Sequence, residues 1–275
     1  MKISLIIAVY KDITALGLIL ETLTYQTYKN FEVIVAEDAH SIEMKNFIQE
    51  ANLKYTFDVK HTYQEDKGVR KARSQNNALL AASGVYVIFI DGDCLLYSTF
   101  IEGHIILSKK KRVLSGRRVN IPIEYVLNIK KKELKVLDIE KNYLFCYYSW
   151  ILKKSVRYQQ GIYIKPCSIL YKLLHLRKPS ASILGCNFSC WRDDLIAING
   201  FDESYGETAI SDDIDLEWRF KAYGLEIVSC KNAANMFHLD HAIHDRGDAT
   251  KLLAVMKARK EKQLYKCEIG LNTHV

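Results

Sequence analysis

The first third of the sequence alternates strand-length apolar runs with segments of helical spacing. The run ISLIIAV (3–9) is continuously apolar, and in TALGLILETLTYQT (14–27) leucines and isoleucines recur every three or four positions. Strands that alternate with helices form a mostly parallel sheet with helices on both faces, so the pattern predicts an α/β fold. The further predicted strands are 31–37, 55–64 and 86–91, and the further predicted helices are 41–51 and 70–82.

Acidic residues follow three of these strands where each strand ends. Glu37 and Asp38 follow the second strand, QEDKG (64–68) follows the third, and Asp91 and Asp93 follow the fourth. In open α/β sheets ligands bind beyond the carboxyl ends of the strands. Carboxylates gathered there would repel one another unless a cation or a hydrogen-bonding ligand lies among them. We therefore expect Asp91 and Asp93 to face Mg²⁺ or Mn²⁺ and a diphosphate.

The two glycine-rich phosphate signatures are absent from the sequence, since no GxGxxG follows the first strand and no GxxxxGK[ST] occurs. A metal on the paired aspartates, assisted by Lys67, Arg70 or Arg73, would hold the diphosphate instead. Arg70, Arg73 and Asn76 recur at intervals of three along the predicted helix. One or two of them are candidates to reach the diphosphate, and an exposed helical face explains the same spacing equally well.

Positive charge is concentrated in the middle of the chain. The 275 residues carry a formal net charge of +7, whereas residues 109–178 alone hold 18 Lys and Arg against 4 Asp and Glu. Lysines interleaved with Tyr, Trp, Leu and Ile are typical of amphipathic helices on an anionic membrane surface. The alternative is a solvated basic face around ordinary core helices. Nucleic acid is attracted by the same charge, but we do not expect it as a partner.

Neither a signal peptide nor a membrane span is predicted. The first apolar run ends at Tyr10, which is too short for a signal peptide, and no stretch of about 18 apolar residues occurs. The seven cysteines are scattered without a CxxC pair, as expected for reduced thiols in a cytoplasmic protein.

Six motifs occur in an order and at spacings that point to one enzyme family. They are IIAVYKD, EVIVAED, QEDKGVRKARSQNNAL, FIDGDC, GCNFSCWRDDLIAINGFDE and SDDIDLEWRF. Together they resemble the inverting glycosyltransferases of family 2, in particular the bacterial branch related to chondroitin-type polymerases and to capsule and lipooligosaccharide sugar transferases. The resemblance covers residues 1–120 and 183–245. It implies the A-type glycosyltransferase fold, a UDP-sugar donor, and Mn²⁺ or Mg²⁺ as cofactor.

The resemblance also assigns roles to residues on the donor side. Asp38 corresponds to the acid that hydrogen-bonds uracil, and Asp66 to a second nucleoside contact. The family's usual Asp-Asp-Gly-Ser is here Glu-Asp-Ala-His (37–40). Asp91 is expected nearer the ribose and Asp93 on the metal. Without a ligand, the same pair would be an Asp-Gly turn after a buried strand.

A second acid pair corresponds to the acceptor side. Asp213 matches the catalytic base, and Asp212 stands where the family has a glutamate that contacts the acceptor. An inverting transfer needs such a base, because a carboxylate must take the proton of the attacking hydroxyl while a metal stabilises the departing diphosphate. Both acids would also suit the first turn of a helix, whose dipole they complement.

Four other residues are weaker candidates. His238 is matched to a third metal ligand, with His241 as its rival and a core or surface histidine as the alternative. Asn187 is a candidate for a hydrogen bond to a sugar hydroxyl. Trp191 is a candidate for stacking on a sugar ring, and it is equally well explained as a core residue.

The resemblance therefore implies a metal-dependent inverting transferase that moves a hexose or N-acetylhexosamine, with galactose one candidate, from a UDP-sugar to a cell-surface glycan acceptor. The acceptor is expected to belong to a capsule, lipooligosaccharide or O-antigen, and the protein to lie peripherally at the inner face of the bacterial cell membrane. The alternatives are an inactive nucleotide-sugar-binding or assembly protein and a sugar nucleotidyltransferase. The predicted divisions are a nucleotide-sugar half (1–108), a basic helical insert (109–182), an acceptor and base half (183–250) and a C-terminal tail (251–275).

Overall fold

A computed structural model describes residues 1–151, 158–175, 181–206, 212–239 and 250–274. Short 3₁₀ turns lie at Tyr158–Gly161, Glu203–Tyr205 and Leu271–Thr273. The strands are β1 (Ile3–Val9), β2 (Phe31–Glu37), β3 (Val59–Thr62), β4 (Tyr86–Asp91), β5 (Cys94–Leu96), β6 (Arg112–Ser115), β7 (Val119–Asn120), β8 (Asn187–Trp191), β9 (Glu226–Ser229) and β10 (Met236–His238). The α-helices are α1 (Ile13–Thr24), α2 (Ile42–Lys54), α3 (Lys71–Ala81), α4 (Phe100–Leu107), α5 (Ile123–Lys130), α6 (Val136–Lys141), α7 (Tyr143–Ile151), α8 (Ile169–Leu174), α9 (Arg192–Ala197), α10 (Asp212–Ala222) and α11 (Thr250–Glu261).

Within the described residues, the central sheet has seven strands in the order β3-β2-β1-β4-β8-β6-β9. Strands β3, β2, β1 and β4 run parallel, β8 runs antiparallel to both of its neighbours, and β9 is parallel to β6. The predicted mostly parallel α/β sheet is confirmed. Strand β3 begins later than predicted, and before it the ring of Phe57 stacks on Tyr55 and contacts Phe31.

Both faces of the sheet are covered, which explains why its strands are continuously apolar rather than alternating. Leu5 and Ile7 of β1 lie in a core that includes α1 and α2. Ile6, between them, lies in a second core on the opposite face, together with side chains of α3, α9 and α10.

A small second sheet positions one edge of the candidate site. Strand β10 lies at its centre, antiparallel to β5 and parallel to β7. In this register His238 lies opposite Cys94, the residue that follows Asp93. The C-terminal half of the chain therefore supplies a strand beside the Asp91–Asp93 turn.

The basic segment differs from its predicted extent. Strands β6 and β7 belong to the two sheets, and Val113 and Leu114 are buried there. The helical part of the segment therefore begins with α5 at Ile123 rather than at residue 109. Among the described helices, none is both long enough and apolar enough to cross a membrane.

Glu32 is a fully buried acid near the amino ends of the strands, on the edge of the sheet opposite the acids discussed above. Its carboxylate accepts hydrogen bonds from the Ser4 hydroxyl (2.6 Å) and the Ser83 N–H (2.7 Å), and it pairs with Lys60 (3.0 Å) and Lys2 (3.1 Å). Burial alone would raise the pKa of Glu32, but the bonds from Ser4, Ser83 and Lys60 outweigh it and hold this pKa far below its usual range.

We expect Glu32→Gln to lower the free energy of unfolding by about 2–4 kcal/mol at pH 7, because the lysines lose a buried partner. Since the folded-state pKa is depressed, this stabilisation is present above the ordinary carboxyl pKa of about 4 and is lost as the pH falls below it. Urea denaturation from pH 7 to pH 3 measures the effect. The exposed acid Glu50 supplies the control, Glu50→Gln, and a difference independent of pH would contradict the prediction.

Candidate active site

The turn between β4 and β5 carries the first acid pair. Asp91 ends β4, and one of its carboxylate oxygens lies 2.7 Å from Nζ of Lys71. The chain then passes so close to β1 that a Cβ on Gly92 would lie 2.9 Å from the carbonyl oxygen of Ala8. A glycine at this position therefore allows the close approach that turns the chain from Asp91 to Asp93.

Asp93 and His238 face each other. His238 Nε2 lies 3.1 Å from Asp93 Oδ2, and the backbone carbonyl of Asp93 accepts a hydrogen bond from the N–H of Leu239 (2.9 Å). The side chain of His238 is buried, whereas that of Asp93 is partly exposed. The structure thus brings together two of the predicted metal ligands. The rival ligand, His241, lies outside the described residues.

This donor set fits a divalent metal held partly by substrate. No group of three or more His, Cys, Asp or Glu side chains in the described part of the chain is arranged to hold a metal ion. The carboxylate of Asp93 and the imidazole of His238 lie next to each other and offer one oxygen ligand and one nitrogen ligand. Mg²⁺ and Mn²⁺ accept few protein ligands and leave their other positions to water and phosphate oxygens. The residues present therefore fit a metal that a diphosphate helps to bind.

Asp38 links the end of β2 to the start of α3. One of its oxygens accepts from Nε2 of Gln64 (2.5 Å) and the other from the N–H of Arg70 (2.7 Å). Burial raises the pKa of Asp38, and the hydrogen bonds from Arg70 and Gln64 offset this only in part. The Arg70 guanidinium in turn donates to the Glu65 carbonyl. Asp38 thus holds together the two loops between which a nucleoside is expected.

A cleft of about 520 Å³ opens beyond the carboxyl ends of β1 and β2. Two of its lining residues form an ion pair, with Lys11 Nζ 2.5 Å from Asp66 Oδ2. The ring of His40, which also lines the cleft, stacks on Tyr63 with 4.0 Å between ring centroids. This stacked pair offers a flat aromatic surface next to the predicted nucleoside contacts. The complete lining is Lys11, Ile13, Ala39, His40, Ser41, Glu43 and Asp66.

Asp213 lies in the first turn of α10 and is fastened to the segment before β8. One carboxylate oxygen accepts from the N–H of Gly185 at 3.3 Å, and one turn later Glu217 accepts from the N–H of Ile183 at 3.1 Å. Strand β8 begins two residues after Gly185 and pairs with β4 at Ile90. Asp213 is therefore held near the end of β4 that bears the first acid pair. The side chain of Asp212 lies outside the described residues.

Arg118 lies next to Cys186, and no sequence motif identifies it as a site residue. Its guanidinium donates to Sγ of Cys186 (3.6 Å), the neighbour of Gly185. Burial alone would lower the pKa of Arg118, but Cys186, Cys94 and Asp93 outweigh it and raise this pKa. Arg118 follows the carboxyl end of β6, which runs parallel to β4, so the rule that selects the acids applies to it once the direction of β6 is known.

Trp191, the candidate for stacking on a sugar ring, lies far from the first acid pair. Because β8 runs antiparallel to β4, Trp191 lies opposite Tyr86, at the far end of β4 from Asp91. Five residues of strand separate these ends, which is about 16 Å. The indole N–H donates to the carbonyl of Lys109, and Nζ of Lys110 lies 3.8 Å from the ring centroid.

Asn76 and Asn187 are buried, and both amides are used inside the protein. Asn76 donates to the carbonyl of Phe201 and accepts from its N–H, both at 2.9 Å. Asn187 donates to the carbonyls of Arg117 (3.0 Å) and Ala234 (3.2 Å). The amides of Asn76 and Asn187 therefore hold loops in place, and the substrate contacts expected of them stay predictions.

Comparison with known proteins places the chain among sugar transferases. The family model "Glycosyl transferase family 2" matches residues 4–166, and a model named "N-terminal domain of galactosyltransferase" matches residues 165–242. A glucosyltransferase of Escherichia coli, WfaP, is 31% identical over 111 residues, which are 40% of this chain and 43% of that protein. The putative glycosyltransferase EpsH of Bacillus subtilis is 35% identical over 101 residues, 36% of this chain and 28% of its own length. The chain thus spans less than half the length of these relatives.

Two solved structures share the fold of this chain. S. aureus TarS (residues 1–349) in complex with UDP superposes with a TM-score of 0.59 and 15% identity, over 99% of this chain and 68% of that chain. The mannosyltransferase PcManGT of Pyrobaculum calidifontis, in complex with GDP-Man and Mn²⁺, gives a TM-score of 0.55 and 14% identity, over 95% and 62% of the respective chains. At this identity the likeness shows the fold alone.

Proposed function

Because this chain belongs to glycosyltransferase family 2 and has the A-type fold, we propose that it transfers a sugar from a UDP-sugar to a hydroxyl of a glycan, with inversion at the anomeric carbon. The observation that carries the proposal is the pair of acid sets beside the carboxyl end of β4. Asp91 and Asp93, with His238, form one set, and Asp213 on α10 forms the other. A sugar between them would have its leaving group on one side and a base on the other.

On the donor side, Asp93 and His238 would hold Mn²⁺ or Mg²⁺ together with the diphosphate. When bound, the metal neutralises charge that grows on the departing nucleotide. Lys71 keeps Asp91 paired at 2.7 Å, and this reduces the repulsion between Asp91 and an incoming diphosphate. Arg118 adds a second cation beside Asp93, where it can stabilise the same charge.

On the acceptor side, Asp213 acts as the general base. The acceptor oxygen forms a bond to the anomeric carbon while the bond from that carbon to the diphosphate oxygen breaks, and its electron pair leaves with the nucleotide. The hydroxyl proton passes to the Asp213 carboxylate, whose orientation the N–H of Gly185 fixes. Attack from the face opposite the leaving group gives inversion.

Uridine is the proposed nucleoside of the donor, and a hexose or N-acetylhexosamine is the proposed sugar. WfaP is named for a UDP-Glc donor, and TarS has been solved with UDP and with UDP-GlcNAc. Asp38 and Asp66, beside the stacked His40–Tyr63 pair, are the proposed nucleoside contacts. A guanosine donor is the competing choice, since PcManGT has been solved with GDP-Man.

The proposed acceptor is a cell-surface glycan of capsule, lipooligosaccharide or O-antigen type, met at the inner face of the cell membrane. WfaP is named for an acceptor linked to diphosphoundecaprenol, which is a lipid. Residues 109–178 hold 18 basic and only 4 acidic residues. This charge favours a location at the membrane surface, because anionic lipids attract each lysine or arginine near the surface by about 1 kcal/mol.

A donor screen tests the proposal. Nucleotide release from UDP-, GDP- and dTDP-sugars is followed with a mixture of glycan acceptors, in the presence of Mn²⁺ or of a chelator. We expect acceptor-dependent release from one UDP-sugar, lost with the chelator, and a β-linked product from an α-linked donor. Release from a GDP-sugar alone would overturn the choice of nucleotide. UDP binding without turnover of any donor would overturn the transferase function in favour of an inactive binder.

A further inference from the structure

Helix α7 is apolar on both of its sides. Its sequence, YLFCYYSWI, contains no charged residue. A helix on the surface of a soluble protein ordinarily presents charged residues to water, and one that is apolar all round is ordinarily buried. The side chains that face the core are Tyr143, Cys146 and Trp150, and those that face outward are Leu144 (60% exposed), Phe145 (79%) and Tyr148 (70%).

The surroundings of α7 are rich in lysine. Lys130, Lys131, Lys132, Lys135 and Lys141 precede the helix, and all five are exposed. Helix α8 repeats the composition on a smaller scale, since a lysine at position 172 stands among four exposed apolar side chains. These are Ile169, Leu170, Leu173 and Leu174. Apolar side chains flanked by lysines are the composition of helices that lie in the headgroup region of an anionic bilayer.

The buried side of α7 packs against β10, the strand that carries His238. The rings of Tyr143 and Trp150 lie 6.0 Å and 6.4 Å from the ring of Phe237, measured between centroids. Phe237 precedes His238 in β10. If the outer side of α7 lies on a membrane, that membrane is therefore separated from the strand of the proposed metal ligand only by α7 itself.

We propose that α7 is an interfacial anchor, which inserts Leu144, Phe145 and Tyr148 into the boundary between headgroups and acyl chains of an anionic membrane. The lysines before it contact lipid phosphates, and this charge complementarity favours a bilayer over an apolar protein surface. Anchoring through α7 holds the active site near the membrane, where a lipid-linked acceptor lies. The inference rests on the proposed membrane location but not on the transfer chemistry.

Vesicle binding tests the anchor. Co-sedimentation is measured with phosphatidylcholine vesicles that do or do not contain phosphatidylglycerol, for the wild type and for Phe145→Ser/Tyr148→Ser. We expect wild-type binding to the anionic vesicles and a loss of at least about tenfold in the double variant. The matched control is Ile42→Ser/Leu53→Ser on α2, where the side chains are 72% and 90% exposed, and this control should bind like the wild type.

A second variant reports insertion directly. Phe145→Trp places an indole on the outer side of α7, and its emission should shift to shorter wavelength when anionic vesicles are added. Unchanged emission, or a double variant that binds like the wild type while Lys131→Gln/Lys132→Gln does not, would overturn insertion and leave a purely electrostatic contact. Absence of wild-type binding would overturn both the anchor and the membrane location, while the donor screen would still report on transfer. Self-association that Phe145→Ser/Tyr148→Ser abolishes, without vesicle binding, would assign this side of α7 to a protein contact instead.

Discussion

Asp213→Asn is expected to lower kcat for sugar transfer by about 10²–10⁴-fold and to leave KM for the donor nearly unchanged. Asparagine has almost the same shape, and its amide oxygen can still accept the hydrogen bond from the N–H of Gly185. It cannot take a proton from the acceptor hydroxyl. The loss should therefore fall on the chemical step rather than on donor binding.

Initial rates at saturating donor and acceptor measure this effect, and Glu217→Gln is the matched control. Glu217 lies one turn further along α10 and also accepts a backbone N–H, that of Ile183 at 3.1 Å. It should keep kcat within a few-fold of the wild type. Equal losses in the two variants would mean that Asp213 only fastens the helix, and full activity of Asp213→Asn would place the base elsewhere.

Asp93→Asn and His238→Gln are expected to raise the Mn²⁺ concentration for half-maximal activity by at least about tenfold, with a fall in kcat of about 10²–10³-fold for Asp93→Asn. The reason is that the two side chains face each other at 3.1 Å and are the proposed protein ligands of the metal. An amide is a weaker ligand than a carboxylate, and it does not neutralise the ion.

Metal titrations at fixed donor concentration check this expectation. His61→Gln is the control, because His61 also pairs with an acid, Glu37, at 2.8 Å, but the pair lies between β2 and β3 rather than at the Asp91–Asp93 turn. Its Mn²⁺ requirement should match that of the wild type. Unchanged titrations for Asp93→Asn and His238→Gln would remove this pair from the metal site.

The donor side was the more predictable part of the molecule from sequence. Four parallel strands lie in the first 91 residues, and each is separated from the next by a helix. The residues after Glu37 and after Ile90 therefore had to meet at one edge of the sheet. The rule that ligands bind at the carboxyl ends of strands then selects Asp38, Asp91 and Asp93 without any knowledge of distant contacts.

Strand direction in the second half could not be read in the same way. A short apolar run does not reveal whether it pairs parallel or antiparallel with a strand made a hundred residues earlier. The sequence therefore did not reveal at which end of β4 Trp191 lies. For the same reason the sequence shows Arg118 only as one residue of the basic segment. Asn76 shows a different limit, because its partner Phe201 is 125 residues away in sequence. Such partners become visible only once the chain is folded.

The antiparallel strand β8 also has a consequence for how the chain is made. One edge of β4 can pair with β1 as soon as β4 has been made. The other edge pairs with β8, which begins about 95 residues later, after helices α5 to α8. At a synthesis rate of about 5–20 residues per second, that interval lasts roughly 5–20 s. During it, the edge of YVIFID has no native partner, and unpaired edges of apolar strands promote association between chains. The topology therefore leaves this edge open to association with other chains until β8 has been made.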